Sequence, residues 1–343
     1  MKFYEPLQES RLHTGTDQGK DTTLTFGKDH NITSDNRVLL QQFIDYRVDI
    51  SCIQNIIDSR KKHLIEFLRV EADQFDQLVK DAGKNVQDEW GEILRLLKNG
   101  YHIKGFNSFV PKNALLSATH IDGQSSSYWN LERIVRLLSL FVSTGCEFLE
   151  FGSTFGDIGI YFAHQCKVTF FNLPGETYEF AKFHTQKSGV DIRFLNDLKN
   201  IKDNSYDIVC VQNVLERTEN PMDIVIKLLR SLKPEGYLVT SGFSFDSNIP
   251  GHLPFNMRYQ DSWVADFIRM GQKYICKFNE KDWFNAVFEQ TMTYSHQVVT
   301  HTPTVPPQRH SYNLLSDEFV MGWDRALEKA ASLNIQHPYP PPE

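Results

Sequence analysis

Between Glu147 and Gly242 the chain alternates short apolar runs with amphipathic stretches, and this pattern limits its fold more than any other feature. The runs are EFLEF (147–151), VTFF (168–171), DIRFL (191–195), YDIVCV (206–211) and YLVTS (237–241). Strands that read as nearly continuous apolar runs are covered on both faces, which is the situation of a parallel sheet between helices. Helical patterns separate most of the runs, as βαβ units require. The first run ends in an acid and a glycine turn, Glu150-Phe-Gly152-Ser153-Thr154-Phe-Gly156. Gly152 and Gly156 let the backbone pass close to a ligand where a β-carbon would clash. The helix that opens near Phe155 would point its unpaired N–H groups at that ligand.

Composition narrows the classes of function. The 343 residues are 41% hydrophobic and 23% charged, as expected of a globular protein. The net charge of −7 argues against general nucleic-acid binding, which needs surplus Lys and Arg. The five cysteines, Cys52, Cys146, Cys166, Cys210 and Cys276, are widely spaced and sit mostly in apolar segments. They read as buried reduced thiols, not as disulfides or metal ligands. The first residues have no apolar signal core, and no run of about 18 apolar residues is present, so a cytoplasmic protein without a membrane span is expected.

The ordered motifs from 146 to 242 resemble the class I S-adenosylmethionine (SAM)-dependent methyltransferases. Glu150, Gly152 and Gly156 fit that family's acid-x-Gly-x-Gly-x-Gly turn, with Thr154 in place of the middle glycine. Asp197, in Phe194-Leu-Asn-Asp197-Leu198, fits the acid after the third strand that meets the adenine amine. The phrase Asn204-Ser-Tyr-Asp207-Ile-Val-Cys-Val-Gln212-Asn213-Val-Leu-Glu216 looks like the fourth strand and its exit. Leu232-Lys-Pro-Glu-Gly236 matches the turn into the fifth. Phe171-Asn172-Leu173-Pro174 is similar to a turn of small-molecule O-methyltransferases, with Asn172 where the ribose-binding acid is usual. A neutral amide is a weaker partner for a hydroxyl than a carboxylate is. The resemblance implies a Rossmann-like α/β fold with a mostly parallel seven-stranded sheet and an N-terminal helical extension. It also implies SAM as cofactor, held by Glu150, Gly152, Ser153, Thr154, Gly156, Asn172, Leu173, Asp197, Leu198 and Gln212.

Around this block the expected organisation is a flexible arm or lid over 1–35 and a helical cap or substrate region over 36–130. A SAM-binding domain over 131–335 and a proline-rich extended tail over 336–343 complete it. Apolar stripes at Val38–Ile44, Leu64–Leu68, Phe75–Ala82 and Trp90–Leu97 mark the cap helices, which make a homodimer through this region an expectation. KYICKF and TYSHQVVTH read as late strands and DEFVMGWDRALEKAASL as a last helix.

Methyl transfer needs an acceptor held in line and often a group that removes its proton. His252, in Gly-His-Leu-Pro-Phe, is the favoured base, with His120 and Asp122 second; a surface-loop histidine is the bland alternative. Asp246 and Arg258 share the His252 loop. Tyr101, Phe106, Phe109, Tyr128 and Trp129 can wall a sulfonium or simply pack the cap. The leading reading is O-methylation of a small molecule such as a sugar or natural-product intermediate. A second reading keeps SAM but attacks its aminopropyl arm, giving methylthioadenosine. A third is a SAM-fold binding module without catalysis.

Overall fold

The computed structural model describes residues 10–15, 21–26, 46, 48–98, 114–124, 127–218, 221–241, 249–253, 256, 259, 267, 272–280 and 283–290. Its centre is one sheet in which β3 (Glu147–Phe151), β4 (Lys167–Phe171), β5 (Arg193–Leu195), β6 (Tyr206–Val211) and β7 (Leu232–Thr240) run parallel. These follow the apolar runs of the sequence closely. The strand order is β1-β2-β8-β9-β7-β6-β3-β4-β5. β8 (Gln272–Glu280) and β9 (Trp283–Gln290) add an antiparallel pair beyond β7. β1 (Ser10–Gly15) and β2 (Asp21–Phe26) form a hairpin on the edge of β8.

The sheet therefore has nine strands among the described residues, a correction to the seven expected. The two additional strands lie inside the stretch expected to be an arm: Thr-rich and polar, it has no apolar run, and it pairs through backbone groups at an open sheet edge. KYICKF is confirmed as β8. Its partner is Trp283–Gln290, which the sequence reading passes over, while TYSHQVVTH and the last expected helix lie outside the described residues. So do Val38–Ile44, Tyr101, Phe106, Phe109, Asp246, Arg258 and the tail, and the side chains of Asp122, Tyr128 and Trp129.

Alternation along each strand sorts the core into two faces. Phe148, Val168, Phe170, Ile208, Cys210 and Val239 face one cluster. It is covered by α1 (Ile50–Leu68), α4 (Ser127–Leu138), α5 (Asp157–Phe162) and α6 (Glu176–Lys187). Leu149, Phe151, Phe171, Val209, Val211 and Leu238 face the other, covered by α7 (Pro221–Ser231). A third cluster, with Leu64, Phe75, Leu115, Phe155 and Phe180, fixes α2 (Phe75–Lys98) and α3 (Ala114–Gln124) to the glycine turn and α6. The cap helices thus pack on the sheet domain. α1 starts at Asp49, whose carboxylate accepts from Cys52 N, and ends at Arg69 in the left-handed region. Among the described residues no helix is long and apolar enough to cross a membrane.

The register brings the carboxyl ends of the parallel strands to one level. Phe151 is paired with both Phe171 and Val211, Phe171 with Leu195, and Val211 with Thr240. Every residue that follows one of these leaves the sheet along a common edge. The entry to β7 contains an irregularity: Tyr206 pairs with Leu232, and the next pair is Ile208 with Tyr237. Gly236 closes it. A β-carbon there would lie 2.9 Å from the Lys233 carbonyl oxygen, 3.0 Å from that of Asp207 and 3.1 Å from that of Tyr206. Backbone oxygens cannot swing away, so Gly236→Ala is expected to cost about 1–3 kcal/mol, the usual range for overpacking, measurable by urea unfolding.

Candidate functional site

The common edge gathers most of the residues singled out for cofactor binding. Glu150, one residue before the end of β3, is 1% exposed. Its Oε2 accepts a 2.7 Å hydrogen bond from Gly159 N, tying the strand to α5, while Oε1 has no hydrogen-bond partner. Burial pushes its pKa up to about 7, against the opposing hydrogen bonds of Ser153 and Gly159. An unpaired carboxylate oxygen inside the protein is costly and calls for a donor.

Gly152 and Gly156 both have positive φ, 76° and 79°. At Gly152 the sequence reading assigns the missing β-carbon's space to a ligand, but Val214 fills it. A β-carbon would come 2.4 Å from Val214 Cγ2. The glycine is therefore required by packing between the turns after β3 and β6. Ser153 and Thr154 form the half-buried rim, and Ser153 Oγ accepts from Gly156 N at 3.2 Å.

Asn172, just past β4, holds that rim in place. Its Nδ2 donates to the Ser153 carbonyl at 3.1 Å and to Thr177 Oγ1 at 3.4 Å, and its Oδ1 accepts from Leu173 N at 2.8 Å. An ionised aspartate here could not make the first bond, because it has no donor for the Ser153 carbonyl. Leu173 is 40% exposed, a large apolar side chain left open at the site edge. Asp197 is exposed after β5 and caps a short turn by accepting from Lys199 N. Leu198 is half-buried against the second cluster. Gln212 follows β6, its Nε2 donating to Cys210 Sγ at 3.7 Å.

The two candidate bases stand in different surroundings. His120, on α3, lies with its ring over Gly83 of α2, where a β-carbon would be 2.2 Å from Cδ2, so it fills a helix–helix contact. His252 is not a surface-loop residue: it is 4% exposed, and its Nε2 is 3.7 Å from Glu216 Oε1. Glu216 is 2% exposed, its Oε2 lacks a partner, and burial raises its pKa to about 7 although Arg217 opposes the shift. Asn256 Nδ2 clamps this segment by donating to the carbonyls of Leu215, Glu216 and Thr218 at 3.2, 3.0 and 2.8 Å. Leu253 N donates to the Glu216 carbonyl at 3.0 Å. The loop carrying His252 is thus fastened to the exit of β6.

Sequence reasoning missed Glu216 as a site residue, and it missed a buried chain behind the glycine turn. Asp157 Oδ2 accepts from Arg60 Nη1 at 2.5 Å, and Asp157 Oδ1 lies 3.3 Å from His184 Nε2. His184 Nδ1 lies 2.7 Å from His63 Nδ1. With Asp157 ionised, one assignment satisfies every member: His184 donates from Nε2 to Asp157 and accepts at Nδ1 from His63. Burial alone would raise the Asp157 pKa, but the Arg60 charge and His184 outweigh it and the net direction is down. Arg60 also stacks on Phe155, 4.4 Å from the ring centroid. Only Asp157 is near the glycine motif in sequence; its partners are on α1 and α6.

The strand order contains β5-β4-β3-β6-β7-β9-β8, with β9 antiparallel to its neighbours, around a glycine turn between β3 and α5. That order and that turn define a Rossmann-like methyltransferase fold. Residues 149–240 match the family model described as a methyltransferase domain. The chain is a SAM-dependent methyltransferase-like enzyme, with S-adenosylmethionine as its cofactor. It is similar to a SAM-dependent methyltransferase from Aquifex aeolicus, with 19% identity, 47% of this chain and 89% of that one covered, and a TM-score of 0.38. It is similar to a TehB-like SAM-dependent methyltransferase from Corynebacterium glutamicum, with 19% identity, 50% and 99% covered, and a TM-score of 0.37. A third similarity is to the CurJ carbon methyltransferase, with 16% identity, 65% and 72% covered, and a TM-score of 0.47. No curated protein matches the chain.

The residues present fit the cofactor. The orphaned Glu150 Oε1 is an acceptor suited to a cationic donor, and Leu173, just past the end of β4, offers an exposed apolar side chain. Glu150→Gln is expected to weaken S-adenosylhomocysteine binding about tenfold by calorimetry, because the charged acceptor becomes neutral. Asp157→Asn removes the charge that compensates buried Arg60 and is expected to cost about 3–5 kcal/mol in denaturant unfolding. His63 has a pKa below its usual 6.5, chiefly through burial. The unfolded chain therefore binds that proton first, so stability is full above about pH 6.5 and falls as pH drops through the folded pKa. The thermal midpoint should show this fall on the acid side, and His63→Gln should flatten it.

Proposed function

We propose that the chain transfers a methyl group from SAM to a hydroxyl of a small-molecule acceptor, with His252 as general base and Glu216 as its positioning partner. The observation that carries this reading is the buried His252–Glu216 pair, 3.7 Å apart, fastened to the carboxyl end of β6. An acceptor bound over the strand ends of such a sheet lies at the topological switch between β3 and β6. The acidic balance of the chain favours a small acceptor over a nucleic acid.

Bound SAM supplies an electrophilic methyl carbon on a sulfonium. Glu150 would hold the cofactor's ammonium, the Ser153–Thr154 rim and Leu173 would flank its nucleoside, and Asp197 would meet the base. His252 would take the acceptor's proton. Ionised Glu216 stabilises the imidazolium that results and keeps Nε2 turned towards itself. Because the Glu216 pKa is raised to about 7, the ionised form that supports His252 grows in as pH rises through neutrality.

Single-turnover kinetics with an identified acceptor test the assignment. His252→Ala should lower the rate by about 10²–10⁴, the range for losing a general base, with S-adenosylhomocysteine affinity retained. Glu216→Gln should remove the rise in rate near pH 7. Full turnover in His252→Ala sinks the assignment of the base. Methylthioadenosine forming from SAM without acceptor, faster than the spontaneous rate, sinks methyl transfer as the activity.

A further inference from the structure

We infer that Cys146 and Cys166 form a peroxide-responsive dithiol–disulfide pair at the amino-terminal end of β3 and β4, an oxidation site separate from the catalytic edge. The two sulfurs are 2.9 Å apart, although both cysteines are free thiols. Packing contacts between apolar atoms are about 3.5–4.0 Å, so this is closer than two buried thiols serving only as small hydrophobes would sit. The backbone holds them opposite one another. Glu147 pairs with Lys167, Lys167 N donates to the Cys146 carbonyl at 2.8 Å, and Gly145 N donates to the Gln165 carbonyl at 2.6 Å. Adjacent strands are about 4.8 Å apart, within the roughly 4.4–6.8 Å range of Cα separations that a disulfide spans. Bond formation therefore needs side-chain adjustment and no rearrangement of the sheet.

The surroundings select the oxidant and the order of events. Cys146 is 4% exposed and Cys166 7%, burial that keeps bulky disulfides from the sulfurs and leaves a small neutral oxidant as the suitable reagent. The Cys166 thiol donates to Cys146 and lowers its pKa despite burial, while the Cys166 pKa is raised by the same contact. The Cys146 thiolate attacks hydrogen peroxide, forming Cys146 sulfenic acid and releasing hydroxide, which takes up the proton lost from the thiol to give water. Cys166 sulfur then attacks the sulfenic sulfur, and its proton leaves with the hydroxyl as a second water. Two thiols and one peroxide give one disulfide and two waters. The bond would close a short loop through the glycine turn and α5 and so restrict the unfolded chain. From Cys146 to Gly152 is about 20 Å along the strand at roughly 3.3 Å per residue, so the pair does not touch the cofactor edge.

The test uses the full reduced chain, freed of reductant and exposed to hydrogen peroxide. Remaining thiols are alkylated under denaturing conditions and the digest is read by mass spectrometry. The expected result is a peptide pair joined through Cys146 and Cys166, two hydrogens lighter than the separate peptides. A thermal midpoint raised by several degrees and restored by dithiothreitol should accompany it. Cys146→Ser should lose both effects, and Cys166→Ala gives the same reading if the first variant does not fold. Recovery of both cysteines alkylated, Cys146 trapped as sulfinic acid, or cross-links to other cysteines would overturn the inference.

Discussion

The carboxylate of Asp157 is the group on which the arrangement of the site depends. It begins α5 directly after the glycine turn and is buried. An isolated buried carboxylate would be driven neutral, yet Arg60 from α1 and His184 from α6 keep it ionised. This pairing fastens α1 to the turn at the end of β3. The cap and the sheet domain are therefore one packed body around the glycine turn, and the orientation of Phe155, under the Arg60 guanidinium, follows from the same contact. Buried ion pairs contribute little net stability over apolar packing, but they are costly to break, so they define where two elements meet.

Two further carboxylates, Glu150 and Glu216, sit at the exits of β3 and β6, and each has an unpaired oxygen and a pKa raised to about 7. Asp157 is fully compensated within the protein, whereas these two are not. The contrast separates a carboxylate whose charge is satisfied inside the fold from two that keep an unpaired oxygen. In the proposed function Glu150 serves a cationic ligand group, while Glu216 lies 3.7 Å from the imidazole of His252. Gly159 N donates to the Glu150 carboxylate, and the Asn256 side chain clamps the backbone of the segment bearing Glu216.

The parallel strands were legible because their signal is local. A run such as Phe148-Leu-Glu-Phe151 declares two-sided burial within five residues, and Gly236 after Lys-Pro-Glu marks the turn into β7. The carboxyl-edge residues Glu150, Asn172 and Gln212 followed from knowing where those strands end. Trp283–Gln290 was harder, since WFNAVFEQ does not separate a strand from an amphipathic helix by pattern alone. The edge hairpin Ser10–Phe26 was not readable at all, because a strand stabilised by backbone pairing at an edge needs no apolar run. His252 was readable as a candidate, but its burial and its partner were not.

The sequence by itself determined the order of the parallel strands, their two-sided burial and the position of the glycine turn. Those properties follow from side-chain alternation and turn chemistry between neighbours in the chain. The tertiary structure alone decided that Val214 occupies the space beside Gly152, that Arg60 meets Asp157 97 positions away, and that His252 meets Glu216. Contacts between residues so far apart leave no periodic trace. They arise when the packed helices and the strand register bring distant side chains into one low-dielectric space, and only there do charge and hydrogen bonding sort the partners.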